Sequence, residues 1–128
     1  MSDNDQFDLS DFTCEACRAG APTVTEEQNA ELAPQIPEWE QSSVNGVPRL
    51  RRTFEFDGWM PAVNFTNRVA EIAEKNDHHP LIRLEWGKVT VSWWTHKIGG
   101  LHKNDFIMAA KTDVLWSERD QNTGENLS

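Results

Sequence analysis

The stretch Leu81-Ile-Arg-Leu-Glu-Trp-Gly-Lys-Val-Thr-Val-Ser-Trp-Trp-Thr95 decides the fold of this 128-residue chain. Its two halves, Leu81–Trp86 and Val89–Thr95, are predicted to be strands, and in the second Val89, Val91 and Trp93 recur at every second position. They flank Gly87-Lys88, a pair suited to a tight turn. The stretch therefore predicts an antiparallel β-hairpin.

Two adjacent tryptophans in the second strand, Trp93 and Trp94, must point to opposite faces of the sheet, because side chains alternate along a strand. One of them can enter a core, which leaves the other on the outer face. We expect a second subunit to bury that face or a strand edge, with a cofactor-binding role for Trp94 as the alternative.

A hairpin of the same kind is predicted upstream. Trp39–Val44 and Val47–Phe56 flank Asn45-Gly46, the dipeptide that most readily adopts the positive φ angles of a two-residue turn. Between the two hairpins, Pro61–Lys75 is predicted to be a helix, since proline fits the first turn and apolar residues recur at helical spacing. Those apolar residues are Phe65, Val69, Ile72 and Ala73.

Helices are also predicted at both ends of the domain. Thr25 and Gln28 form a capping-box pattern at the start of a short helix, Glu26–Ala33, and a last helix covers Asn104–Trp116. The order helix, two strands, helix, two strands, helix predicts a two-layer α+β fold, in which helices pack on one face of a four-stranded antiparallel sheet. The domain is expected to span residues 23–118, between a flexible tail (1–22) and a disordered tail (119–128).

The charge balance argues against two classes of partner. Lys and Arg number 12 against 21 Asp and Glu, a formal net charge of −9, so nucleic acid and anionic membranes should be repelled. No apolar run approaches the roughly 20 residues of a membrane span, and the acidic N-terminus is unlike a signal peptide. These features predict a cytoplasmic protein.

The two cysteines of the chain, Cys14 and Cys17, form a single C-x-x-C. Such a pair can be half of a zinc site, a redox pair or two reduced thiols. A thiolate zinc site would need two further ligands, and the chain has no other cysteine, so reduced thiols are the preferred interpretation.

Three of the four histidines lie where predicted elements end: His78 and His79 after the central helix, and His96 after the last strand. Pro80 disfavours helical geometry at the residue before it, so the two neighbouring side chains diverge and should have different roles. Histidine exchanges protons near neutral pH, which suits general acid–base catalysis. The alternatives are histidines without a catalytic role and a three-histidine zinc site.

The spacing of these residues resembles the signature of the pterin-4a-carbinolamine dehydratase family. The run Glu74-Lys-Asn-Asp-His-His-Pro80 is followed, at the family's intervals, by Trp86, His96 and Asp105. The likeness covers most of the domain, and Trp93-Trp94-Thr95-His96 is similar to the bacterial branch.

The resemblance implies an enzyme that removes water from 4a-hydroxytetrahydropterin to give quinonoid dihydropterin. It would thereby recycle the pterin of an aromatic amino-acid hydroxylase, as in phenylalanine catabolism. The leaving hydroxyl must gain a proton and a ring nitrogen must lose one, so acid–base groups suffice. Neither a cofactor nor a metal ion is expected.

By position, the resemblance makes His78 and His96 the acid–base pair and gives His79 mainly a role in pterin binding. The implied pterin-binding residues are Asp77, His78, His79, Trp94, Thr95, His96 and Lys97. Trp94 and Lys97 depart from the animal branch, so contacts from these two residues would be backbone contacts or specific to this branch.

Several other positions have competing interpretations. Asp105 completes the signature, but near the start of a helix it can equally cap exposed N–H groups. Trp59 and Trp86 are predicted to pack in the core, because aromatic side chains dominate small cores. His102 is predicted to be a loop residue.

The alternative function is a regulatory or coactivator-like module, since animal members of the family also pair with a transcription factor. Three ionisable imidazoles at one site favour catalysis over this alternative. In either case we expect a homodimer or a homotetramer.

Overall fold

A computed structural model describes residues 23–126 of the chain, with side chains as far as Arg119. Its elements are α1 (Glu26–Leu32), β1 (Glu40–Val44), β2 (Val47–Glu55), α2 (Trp59–Asn76), β3 (Leu81–Glu85), β4 (Lys88–Trp93) and α3 (Lys103–Asn126), with short 3-10 helices at Ala33–Gln35 and His96–Ile98. This is the predicted order of elements. Cys14 and Cys17 lie outside the described residues.

The four strands form one antiparallel sheet in the order β1-β2-β4-β3. Leu50 pairs with Trp93 across β2 and β4, and Ile82 pairs with Val91 across β3 and β4. Buried side chains of the sheet (Leu50, Phe54, Val89, Val91, Trp93) meet those of the helices (Phe65, Val69, Phe106, Ile107) in one core. Full burial of such a side chain contributes about 1.5–3 kcal/mol. The predicted two-layer α+β fold is confirmed.

The turn of the first hairpin is where the sequence predicted it. Asn45 and Gly46 have φ angles of 54° and 81°, the left-handed values that a two-residue turn between twisted strands requires. This turn fixes the register of β1 against β2.

The turn of the second hairpin differs from the prediction by one residue. It consists of Trp86 and Gly87, because Gly87 takes the left-handed φ of 74° while Lys88 already pairs with Glu85. Trp86 is therefore 70% exposed, and Trp59, the first residue of α2, is 46% exposed. The prediction that these two tryptophans pack in the core is wrong, because both stand where an element starts or turns.

The last helix continues past the predicted end at Trp116 to Asn126, through residues 119–126 that the sequence assigned to a polar tail. Arg119 donates to the carbonyl of Trp116, and its guanidinium lies 3.3 Å from the centroid of the indole ring. A polar composition alone does not end a helix. Neither this helix nor another in the described part of the chain is long and apolar enough to cross a membrane.

Candidate active site

The C-terminal end of α2 places His78 and His79 in different environments. Asp77 adopts the left-handed conformation (φ 52°), and its N–H donates to the carbonyls of Ala73 and Glu74. The N–H of His78 also donates to Ala73. This cap turns the chain so that the His78 side chain is 5% exposed and the His79 side chain is 56% exposed.

The buried carboxylate of Asp105 is the centre of the site. Its Oδ1 lies 2.7 Å from Nε2 of His78, and its Oδ2 accepts hydrogen bonds from the Thr95 hydroxyl and the His102 N–H, both at 2.8 Å. Asp105 is completely buried, so these three donors replace the water that the carboxylate has lost.

Asp105 also completes the N-terminal cap of α3. Nδ1 of His102 accepts the N–H of Asn104, while the Asp105 carboxylate binds the N–H of His102, a reciprocal arrangement of the capping-box type. Both interpretations of Asp105 therefore hold: the same carboxylate caps the helix and holds His78.

The contact with Asp105 decides which nitrogen of His78 carries the proton. A carboxylate only accepts hydrogen bonds, so Nε2 of His78 carries the proton that points at Oδ1. Nδ1 has no hydrogen-bond partner among the described residues. Nδ1 is not completely buried, although the side chain as a whole is only 5% exposed. The imidazole is also stacked on Trp93, with ring centroids 5.7 Å apart, which fixes its plane.

The other two histidines of the predicted site, His79 and His96, are exposed. Nε2 of His79 lies 2.9 Å from Oε1 of Glu74, and both side chains are exposed. His96 begins the short helix after β4, and its ring stacks on Trp94 with centroids 4.5 Å apart. Within the described part of the chain, no hydrogen bond or ring contact joins His96 to His78.

The predicted pterin-binding residues fall into two adjacent groups. Asp77 and Lys97 are both exposed, at the α2 cap and after β4 respectively. Thr95 is buried and reaches Asp105, whereas Trp94 is partly exposed, with the guanidinium of Arg49 lying 3.7 Å from its ring centroid. Thr95 thus joins the buried Asp105 centre to the exposed Trp94–Lys97 segment.

Three contacts of the site could not be found from the sequence. The signature includes Asp105 and Glu74, but it does not show that their carboxylates contact His78 and His79. The contact of Arg49 with Trp94 had no signal at all, because β2 and β4 are not consecutive in the chain.

The donor atoms of the site do not gather around one point. In residues 23–119, no group of three or more His, Cys, Asp or Glu side chains is placed to hold a metal ion. His78 with Asp105, and His79 with Glu74, are separate two-residue contacts. Both contacts pair an imidazole with a carboxylate, which is an arrangement for moving or holding a proton.

The fold and the site together define a class: a small α+β domain in which a buried carboxylate holds a histidine. The sequence model of one family, described as pterin 4 alpha carbinolamine dehydratase, matches residues 21–115. The chain belongs to this family, as the resemblance of its signature predicted. It is accordingly a pterin dehydratase, an enzyme of the lyase class.

Curated bacterial relatives agree with this assignment. A protein of Syntrophotalea carbinolica is 56% identical over 107 residues, which cover 84% of this chain and 96% of the relative. A protein of Nitrosococcus oceani is 56% identical over 108 residues, with the same coverage of each chain. Both are provisionally named pterin-4-alpha-carbinolamine dehydratase.

Two solved structures share the fold. A crystal structure from Brucella melitensis, described as a transcriptional coactivator/pterin dehydratase, has a TM-score of 0.66 and 30% identity and covers 73% of this chain and 98% of its own. A pterin dehydratase-like protein identified as a RuBisCO assembly factor in the alpha-carboxysome has a TM-score of 0.52 and 20% identity, covering 61% and 88%. The second likeness concerns the fold alone.

Proposed function

We propose that the protein converts 4a-hydroxytetrahydropterin to quinonoid dihydropterin and water by histidine acid–base catalysis. It would thereby recycle the pterin cofactor of an aromatic amino-acid hydroxylase. The observation that carries the proposal is the His78–Asp105 contact, since it holds a protonated Nε2 inside the core and leaves Nδ1 without a partner among the described residues. A nitrogen in that state is suited to accept a proton.

The elimination needs two proton transfers. The bond between C4a and the hydroxyl oxygen breaks as that oxygen gains a proton and leaves as water, while a ring nitrogen loses its proton. In our proposal Nδ1 of His78 takes the proton from the ring nitrogen, and His96 protonates the leaving hydroxyl. His96 is supported in this role by its exposure and by its stack on Trp94, which orients the imidazole without occupying a ring nitrogen.

Substrate binding is assigned to the two exposed segments beside these histidines. His79, paired with Glu74 at the surface, would contact the pterin together with Asp77. On the other side, the Trp94–Lys97 segment would hold the ring, and the hydrogen bond that the Thr95 hydroxyl donates to Asp105 would fix this segment. Self-association into a dimer or tetramer and a cytoplasmic location stay predictions.

The decisive experiment follows the decay of chemically generated 4a-hydroxytetrahydropterin with and without the purified protein. We expect decay well above the spontaneous rate, unchanged after treatment with a chelator and without stoichiometric metal in the protein. Decay at the spontaneous rate would overturn the enzymatic proposal. Loss of activity on chelation, restored by zinc, would replace acid–base catalysis with the metalloenzyme alternative.

A second candidate function is regulatory binding of another protein, which the coactivator description of the Brucella melitensis structure favours. Replacing a histidine of the site distinguishes the two functions. A binding module would keep its partner affinity when His78 is replaced by alanine, whereas a dehydratase would lose turnover.

A further inference from the structure

Three arginines of β2 differ in the groups that surround them. Nη2 of Arg51 lies 3.1 Å from a carboxylate oxygen of Glu40, and Nη1 of Arg52 lies 2.6 Å from one of Asp113. Arg49 has no carboxylate partner among the described residues, and its Nε is the one buried side-chain nitrogen or oxygen there without a hydrogen-bond partner. Of the three guanidinium groups, only that of Arg49 has neither a carboxylate partner nor a hydrogen bond to another described residue.

The position of Arg49 places it next to His96, the proposed acid. The pairing of Leu50 with Trp93 brings Arg49 beside Trp94 on the face of the sheet away from the helices. Its guanidinium carbon lies 3.7 Å from the centroid of the Trp94 ring, and the imidazole of His96 stacks on the same indole. Arg49, Trp94 and His96 therefore form one stack, and the indole sets the position of both partners.

A stacked guanidinium keeps its hydrogen-bonding capacity. The attraction between the cation and the indole uses the face of the guanidinium plane, while its five N–H donors lie in that plane and point outward. Buried donors in folded proteins nearly always have an acceptor. The Nη groups of Arg49 also have no acceptor among the described residues, and unlike Nε they are not buried, so an acceptor that arrives with a substrate can reach them.

We propose that Arg49 is a substrate-binding residue that donates hydrogen bonds to an oxygen of the pterin, held in place by Trp94 next to His96. The inference rests on the proposed function, because that function supplies the ligand. A pterin offers acceptor oxygens of two kinds, the 4-oxo group of the ring and the hydroxyl groups of its side chain. Either can accept a hydrogen bond from the planar guanidinium of Arg49, which stacks on Trp94 near His96.

The test compares Arg49→Met with Arg51→Met, which removes the same charge from the same strand and face but leaves the stack intact. KM and kcat are measured with two 4a-hydroxytetrahydropterins, one carrying a dihydroxypropyl side chain and one carrying only a methyl group. The Kd is measured for dihydrobiopterin, a stable pterin. We expect Arg49→Met to raise KM and Kd about 10- to 100-fold, the scale of a hydrogen bond to a charged group, with a much smaller effect on kcat. Arg49→Lys, which keeps the charge but not the planar donors, should recover part of the affinity and serves if the methionine variant does not fold.

Equal losses with both substrates would assign the contact to the ring oxygen, and a loss only with the hydroxylated side chain would assign it to that side chain. An unchanged Kd, a loss matched by Arg51→Met, or a lower melting temperature with normal Kd would overturn the inference. A wild-type protein that binds dihydrobiopterin without turnover would overturn the proposed function alone, because the Kd comparison would still decide the role of Arg49.

Discussion

Asp105 is a single buried side chain that both caps a helix and contacts the proposed catalytic histidine. Its two oxygens take three hydrogen bonds, from His78, Thr95 and the His102 N–H, and none of it is exposed. Because a carboxylate accepts and never donates, it selects the His78 tautomer with the proton on Nε2. An amide of the same shape would lose this selectivity.

Replacing Asp105 by asparagine should therefore impair catalysis more than it impairs binding. The asparagine NH₂ can donate to Nε2 of His78 and so shift the proton to Nδ1, as happens when the aspartate of a catalytic triad becomes asparagine. We expect kcat to fall by about 10²- to 10⁴-fold while the Kd for a stable pterin changes little. Thr95→Val, which removes another donor to the same carboxylate, is the control for general disturbance of the site. A kcat loss no larger than that of Thr95→Val would contradict the tautomer argument.

At the residue scale, the sequence predicted that the side chains of His78 and His79 diverge, but it did not predict their contacts. The difference between His78 and His79 followed from Pro80, since geometry before a proline is local. The contact between His78 and Asp105 did not follow, because it joins residues far apart in the chain through the packing of α2 against α3.

Among the contacts between elements, one partly buried ion pair joins β2 to α3. Asp113 of α3 accepts hydrogen bonds from Arg52 at 2.6 Å and from the indole of Trp39 at 2.8 Å. Burial raises the pKa of Asp113 above its ordinary value, and the bonds from Trp39 and Arg52, with the charge of Arg52, oppose that rise. A carboxyl group whose pKa is raised by folding favours the folded state most at low pH, and that contribution is lost as pH rises through the folded pKa.

Arg52→Gln should consequently destabilise the protein in a pH-dependent way. Without the guanidinium the pKa of Asp113 should rise further, and its ionised form would be buried with one donor fewer. We expect the free energy of unfolding to fall by about 1–3 kcal/mol at pH 7, below the value for a fully buried pair because both side chains are partly exposed. The loss should shrink at pH 4, where protonation of Asp113 removes the unpaired charge.

Urea unfolding of both proteins at the two pH values measures the effect of Arg52→Gln. Arg51→Gln is the matched control, since it removes the same charge from an exposed pair with Glu40 and should cost less than about 0.5 kcal/mol. Equal losses for Arg52→Gln at pH 7 and pH 4 would show that ionised Asp113 is not the cause.

The two hairpin turns provide a second test at this scale. Gly46 and Gly87 both have left-handed φ angles, but a Cβ at Gly46 would meet nothing within 4 Å, whereas one at Gly87 would lie 3.1 Å from the carbonyl oxygen of Phe56. Alanine at Gly46 should cost about 1 kcal/mol of unfolding free energy through backbone strain alone. Alanine at Gly87 should cost roughly 2–3 kcal/mol, because the Phe56 backbone must also move. Equal losses in thermal or urea unfolding would rule out the added steric cost.

An element could be predicted from the sequence when the residues that determine it are close together in the chain. The turn at Asn45-Gly46 and the Thr25–Gln28 cap were predicted correctly because both depend on residues within a few positions. The second turn was placed one residue late, since either Trp86-Gly87 or Gly87-Lys88 fits a glycine-containing turn and only the pairing of Lys88 decides between them. The sheet order, which brings β2 beside β4, had no local signal.

On the scale of the whole molecule, the exposed apolar side chains need an explanation. The exposed fractions are 70% for Trp86, 56% for Met60 and 46% for Trp59. The turn that holds Trp86 is joined to the chain just before α2, because the carbonyl of Gly87 accepts the N–H of Phe56. Exposed aromatic residues of this size are commonly covered by a partner. We predict that light scattering will give a mass that is a multiple of the 14.6 kDa chain. A mass of one chain at every concentration would contradict self-association.

The central claim is that His78, oriented by Asp105, transfers a proton of the substrate while His79 binds it. The most direct test measures kcat and KM of His78→Ala and His79→Ala in the dehydration of 4a-hydroxytetrahydropterin. The account predicts that kcat falls by about 10²- to 10⁴-fold in His78→Ala, whereas His79→Ala mainly raises KM. A His78→Ala protein that folds and keeps the kcat of the wild type would contradict it.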